Sequence, residues 1–181
     1  MKKITNLLIG TNNKGKLKEI RDNAAAEYEA SEGVKRAKLL EGFGGFKALA
    51  EDFKALGPEG ELMGAMSQTI GSVGESFLAF QDIMGNGTAT AADKAKAGLA
   101  VVGSAINGIA AMQKAASAGR IRALDQEINA EKKRDGKSAE SQAKIKELEK
   151  KKLAEQRKAF EQEKKMKMAQ TIINTATGTM N

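Results

Sequence analysis

The stretch Met63–Met84, MGAMSQTIGSVGESFLAFQDIM, decides the fold. Within it Met63, Met66, Ile70, Val73, Phe77, Phe80 and Met84 follow one another at intervals of three and four without a miss. On an α-helix this spacing gathers all seven side chains on one seam, the a/d stripe of a coiled coil or helix bundle. A strand would scatter them over both faces. Glu75 and Asp82 are the only charges between the two terminal methionines, so the other faces of this helix are weakly solvated and suit neighbours on more than one side. The seam serves either as a self-association surface or as a core stripe within the chain.

Downstream, Gly85-Asn86-Gly87 makes a turn, and the polar residues from Thr88 to Ala92 supply caps for a long helix. Lys96 and Lys114 bracket seventeen uncharged residues, AGLAVVGSAINGIAAMQ, in which Leu99, Val102, Ile106 and Ile109 repeat the 3-4-3 spacing as an apolar packing segment. Gly98, Gly103 and Gly108, with the intervening alanines, leave a surface of small residues that lets helices approach closely. Seventeen residues holding Ser104, Asn107 and Gln113 are short for a membrane span, so a packed helix is expected, with membrane contact as the alternative.

Ile121, Leu124 and Ile128 carry the helix into a charged region that turns at Lys132-Lys133-Arg134-Asp135-Gly136-Lys137-Ser138. The basic cluster suits a helix C-terminus, Gly136 the left-handed position just past it, and Ser138 the N-cap of the next helix. That helix carries Glu-to-Lys pairs four residues apart at Glu140–Lys144, Glu147–Lys151, Glu161–Lys165 and Glu163–Lys167. The turn at Asp135, Gly136 and Ser138 allows either an antiparallel hairpin or one extended rod.

Upstream, Ile4–Gly10 is a short strand or a helix start, Thr11–Gly15 a polar turn, and Lys16 to Leu40 a charged, Ala-rich helix. Gly42, Gly44 and Gly45 are expected to break it, leaving a short helix over Phe46–Leu56 that ends at Gly57-Pro58. The expected divisions are 1–57, an amino-terminal helical segment; 58–87, the heptad-patterned helix; 88–119, the Gly/Ala-rich apolar helix; and 120–181, a basic helix-turn-helix. Together they predict an all-α chain of elongated helices with bundle seams and no single globular core.

Composition narrows the chemistry. The 181 residues include no Cys, His or Trp, which excludes a zinc finger, a thiolate nucleophile and any imidazole base. No catalytic residue, cofactor or metal is implied by the helical pattern. Six Phe and one Tyr are few for an ordinary core of this size. The net charge of +7 is concentrated between Arg120 and Lys167, where 16 basic and 10 acidic residues give +6. Because these cations are interleaved with Glu and lack an aromatic platform, a solvated helix is favoured over dedicated nucleic-acid binding.

Two resemblances follow from particular residues. The segment Ile121–Gly178, with its Arg134–Ser138 turn, Glu147–Lys152, Arg157–Gln162 and Ala169–Ala176, resembles the carboxyl-terminal part of phage tail tape-measure proteins. The Gly/Ala-rich segment before it is similar to their hydrophobic segments, although such proteins are usually much longer. The resemblance implies a multi-copy helical structural protein in the tail tube lumen of the virion, present in the host cytoplasm during assembly. It would set tail length and leave ahead of the DNA during ejection. Its implied partners are copies of itself and the tail tube and tail tip proteins, with weak DNA contact and host membrane contact on ejection. Separately, MKKITNLLIGTNNKGKLKEIRDN is similar to the opening of the inosine/xanthosine triphosphate pyrophosphatase family. That likeness makes Thr11, Asn13, Lys16 and Glu19 candidate nucleotide- and Mg²⁺-binding residues of an alternative, enzymatic reading. It covers only about 23 residues, and the family's later aspartate-rich motif is missing.

Overall fold

The computed structural model describes residues 14–180, with the backbone alone for Lys14, Lys16 and Leu17. The chain is all-α, with no strand among the described residues. Its helices are α1 (Lys14–Ala55), α2 (Glu61–Gly85), α3 (Ala91–Arg134) and α4 (Ala139–Gly178), with a single 3-10 turn, Gly57–Glu59, between α1 and α2. The chain divides into two compact units, Met1–Glu41 and Gly42–Asn181.

The described part of the first unit is the leading stretch of α1, where Ile20, Tyr28, Val34 and Leu39 all stand exposed. Lys35 pairs with Glu32 at 2.8 Å on its surface. The helix break expected at Gly42, Gly44 and Gly45 does not occur, since α1 runs without interruption to Ala55. A helical glycine costs about 1 kcal/mol relative to alanine but forfeits no hydrogen bond, so packing offsets it. That packing comes from Phe43, Lys47 and Ala50, which lie against α2. The helix ends at Ala55, and Gly57 just beyond it has a left-handed φ of 72°, with Pro58 following.

In the second unit, α2 folds back on the end of α1 through a very tight corner. A Cβ on Gly60 would lie 1.8 Å from the Phe53 carbonyl oxygen. Farther along, the ring of Phe43 fills the space where Gly74 would carry a side chain. Next, α3 runs antiparallel to α2. Ser76 and Ser104 share a hydroxyl hydrogen bond of 2.7 Å, and Arg122 donates to Glu61 at 2.7 Å. The long α4 then returns along α3, with Lys152 donating to Asp125 at 2.6 Å, Arg120 paired with Glu155, and Ile173 resting on Gly103. Both α2 and α4 pack extensively on α3 but form no extended interface with each other.

The buried row on α2 is Gly64, Ser67, Gly71, Gly74 and Leu78, itself spaced 3-4-3-4 and lying one position after most of the large apolar residues. Met63, Met66, Ile70, Phe77 and Met84 remain between 45% and 51% exposed, while Val73 and Phe80 are half-buried. On α3 the buried positions up to Ser117 are likewise small, Ala97, Gly103, Gly108 and Ser117, with Ile128 and Glu131 buried farther along. Leu99 and Ile106 are half-buried there, and Val102 and Ile109 are exposed. The reason is steric, because along these rows the facing helix takes up the space that a large α2 or α3 side chain would need, as the Phe43 ring does at Gly74 and Thr69 does at Gly108. Among the described residues the large apolar side chains that are fully buried are Leu78, Ile128 and Leu148, each worth about 1.5–3 kcal/mol.

Candidate functional site

Three features of the second unit are placed to act. The first is the α3–α4 turn. Gly136 has φ 64°, the left-handed value anticipated for it, and a Cβ there would press to 2.7 Å from the Lys132 carbonyl oxygen. Ser138 caps α4 by accepting from the Ser141 amide at 3.2 Å. Asp135 accepts from the Ser138 amide at 3.3 Å, and hydrogen bonding from Ser138, its hydroxyl foremost, holds the carboxyl below its usual range. Beneath this turn Glu131 is buried, and its carboxylate accepts from Arg134 at 2.8 Å and from the Ser141 hydroxyl at 2.9 Å. Lys144 adds an ion pair at 3.0 Å, and the Gly136 amide donates to Ser141 at 3.1 Å. These donors, Arg134 foremost and then Lys144 and Ser141, lower the Glu131 carboxyl to about 2.

The arms therefore form an antiparallel hairpin rather than an extended rod. Of the same-helix pairs anticipated on α4, Glu147–Lys151 and Glu163–Lys167 form at 2.7 and 2.8 Å. Lys144 reaches across to Glu131 on α3, where the sequence rule had paired it with Glu140. At the start of α3, Thr90 and Asp93 close a reciprocal capping box in the region where caps were anticipated.

The second feature is a groove of about 460 Å³ between α3 and α4. Its walls include Ile106, Ala110, Ala118, Ile121, Ala159 and Met166, with Lys114, Glu163 and Lys167 at the rim. On the α3 side Ala110, Ala111 and Ala118 are too short to fill the space, and the α4 side adds Ala159. The third feature is the exposed stripe of Met63, Met66, Ile70, Phe77 and Met84 on α2, with the rings of Phe77 and Phe80 6.4 Å apart. Val102 and Ile109 extend this apolar surface onto α3.

Of the residues in the nucleotide-binding alternative, Thr11 and Asn13 lie outside the described residues, as does the Lys16 side chain. Glu19 stands exposed on α1. Among the described residues no group of His, Cys, Asp or Glu is arranged to hold a metal ion, and no strand accompanies the motif. Among the described residues one helix, α3, is long and apolar enough to cross a membrane, and 11% of its most apolar window is buried in the chain.

Sequence reasoning missed the Glu131–Ser141–Lys144 cluster because its members meet across the turn, beyond the reach of same-helix spacing rules. Comparisons with protein-family models, with curated proteins and with solved structures return no match.

Proposed function

We propose that the chain is a structural assembly protein of the tape-measure type, or a portion of one, acting in the lumen of a phage tail tube. In this reading it sets tail length during assembly and is released ahead of the DNA. The observation that carries the reading is the block from Arg134 to Ala176, whose turn and charged helix resemble that family. Long helices support it, because a helix converts residue number into length at about 1.5 Å per residue. The small-residue rows that keep α1, α2 and α3 close suit a protein confined to a narrow tube. Copies of the chain associate through surfaces that the fold leaves apolar, and the apolar window of α3 favours contact with the host membrane on ejection.

In-frame deletions in the native phage context test the ruler role. Removing 11 residues from α3 and the 11 facing residues of α4 should shorten tails by about 16 Å if the hairpin is kept in the tube, and by about 33 Å if it opens into a rod. Tails of unchanged length would overturn the ruler reading for this segment.

A further inference from the structure

The second unit lays the end of α1, α2 and α3 side by side, and one face of that layer is apolar and open. On α2, Gly64, Gly71 and Gly74 face α1, while Thr69 and Ser76 face α3, on the order of 160° around the helix. The stripe from Met63 to Met84 stands between these two rows, on the order of 80–120° from each. Glu61, Glu75 and Asp82 lie on the far side of α2, about 150–170° from the stripe. The apolar face continues onto both neighbours. On α1 the row against α2 is Phe43, Lys47, Ala50 and Lys54, and Lys47 leans to the far side, where it pairs with Glu75. Phe46 and Leu49 lie on the opposite side of that row, toward the stripe. On α3, Val102 and Ile109 fall within about 40° of Gly98, which Phe80 of the stripe touches.

A helix layer that is apolar on one face and polar on the other is stable when a second layer covers the apolar face. We propose that a second copy of this chain supplies that layer, the two apolar faces meeting about a two-fold axis. The proposal rests on the self-association named above and deepens it, and it holds whether or not the chain lies in a tail. Area is the first argument. Met63, Met66, Ile70, Phe77 and Met84 on α2, with Phe46, Leu49, Val102 and Ile109 beside them, are between 38% and 51% exposed. At about 200 Å² for a large apolar side chain, these nine leave on the order of 800 Å² open. That exceeds the largest patch of an ordinary monomer and equals one partner's share of a standard interface. Because the same face serves on both copies, the second share is supplied automatically and the contact closes as a dimer. Charge is the second argument. A helix lying on an anionic bilayer sets its apolar face beside Lys and Arg, and α2 carries neither from Glu61 to Gly85. The dimer gives Met, Ile and Phe side chains the core that the Gly and Ser rows deny them within one copy.

Sedimentation equilibrium of the full chain tests this, with circular dichroism reading the helicity of each variant. The parent should be a dimer at micromolar concentration. Ile70→Glu/Phe77→Glu, at exposed positions near the middle of the stripe, should weaken the dimer about a hundredfold or more, because like charges are then set together out of water. Ile70→Lys/Phe77→Lys should do the same. An equimolar mixture of the two should restore a dimer, since a two-fold contact sets the middle of one stripe against the middle of the other. Should either double variant lose helicity, the single Phe77→Glu and Phe77→Lys variants replace them. Ala79→Lys, on the far side of α2, should dimerise as the parent does. A parent that is monomeric at about 100 µM would overturn the proposal. Stripe-dependent binding of that monomer to vesicles of anionic phospholipid would then assign the face to a bilayer. A mixture of the Glu and Lys variants that stays monomeric would equally overturn it, as would growth of the parent through the stripe into species larger than a dimer. Tail length after the deletions described above reads the tube location separately.

Discussion

Replacing Gly108 by alanine should loosen the contact between α2 and α3. The new Cβ would lie 2.1 Å from Thr69 Cγ2, 2.6 Å from its Oγ1 and 2.8 Å from its Cβ. Rotating Thr69 cannot relieve this, because the Cβ does not move with χ1, and the hydroxyl is already bound to the Ala65 carbonyl at 2.6 Å. The helices must separate, at the cost of overpacking, about 1–3 kcal/mol. Against it stands the better helix propensity of alanine, about 1 kcal/mol. The difference is a net loss of up to about 2 kcal/mol, which should lower Tm by as much as roughly 8 °C for a chain of this size. Moving the small residue to the other helix, in Gly108→Ala/Thr69→Gly, should return stability to near the parent value, with a coupling of about 1–3 kcal/mol in a double-mutant cycle. Thermal and urea denaturation followed by circular dichroism would measure both. A higher Tm for Gly108→Ala alone, or no coupling to Thr69, would refute the close approach of α2 and α3 at this point.

Gly103→Ala should act in the opposite sense, because its Cβ would meet only Ile173, at 3.8 Å, and propensity should then add about 0.5–1 kcal/mol in the same denaturation assay. Leu148→Ala should cost about 2–4 kcal/mol, since Leu148 is one of few large side chains fully packed between α3 and α4. The lowered Glu131 carboxyl stabilises the folded hairpin above its ordinary value of 4.5 and is lost as pH falls toward about 2. Glu131→Gln should therefore flatten the acid dependence of Tm over that window and lower Tm at neutral pH. Gly136→Val should strain the left-handed turn and cost about 1–3 kcal/mol.

The helices and their ends were legible because their signals are local. Thr90 with Asp93, Gly136 after a basic last turn, and Ser138 before Ser141 each satisfy backbone groups within a few residues. The heptad from Met63 marked α2 as a helix for the same reason. Which face of α2 is buried was harder to see. The row from Gly64 to Leu78 has equally regular spacing, but glycine and serine carry little hydrophobic signal, while their value lies in how closely a second backbone can approach. The continuity of α1 through Gly42, Gly44 and Gly45 depends on tertiary packing of Phe43 and Lys47 that no local propensity contains. Glu131 carries no local signal of its own, since the turn is what brings Ser141 and Lys144 over it. The α3–α4 groove, too, forms only once the hairpin lays the short side chains Ala110, Ala111 and Ala118 of α3 against α4.

The hairpin is the claim on which the Glu131 cluster and the α3–α4 groove both rest. Spin labels at Ala100 and Thr175, introduced as cysteines into a chain that has none, read it directly by pulsed electron resonance. Packed antiparallel helices have axes about 8–10 Å apart, so the account predicts a label separation below about 25 Å. A continuous rod would place the same labels about 110 Å apart, and the absence of any short distance would contradict it.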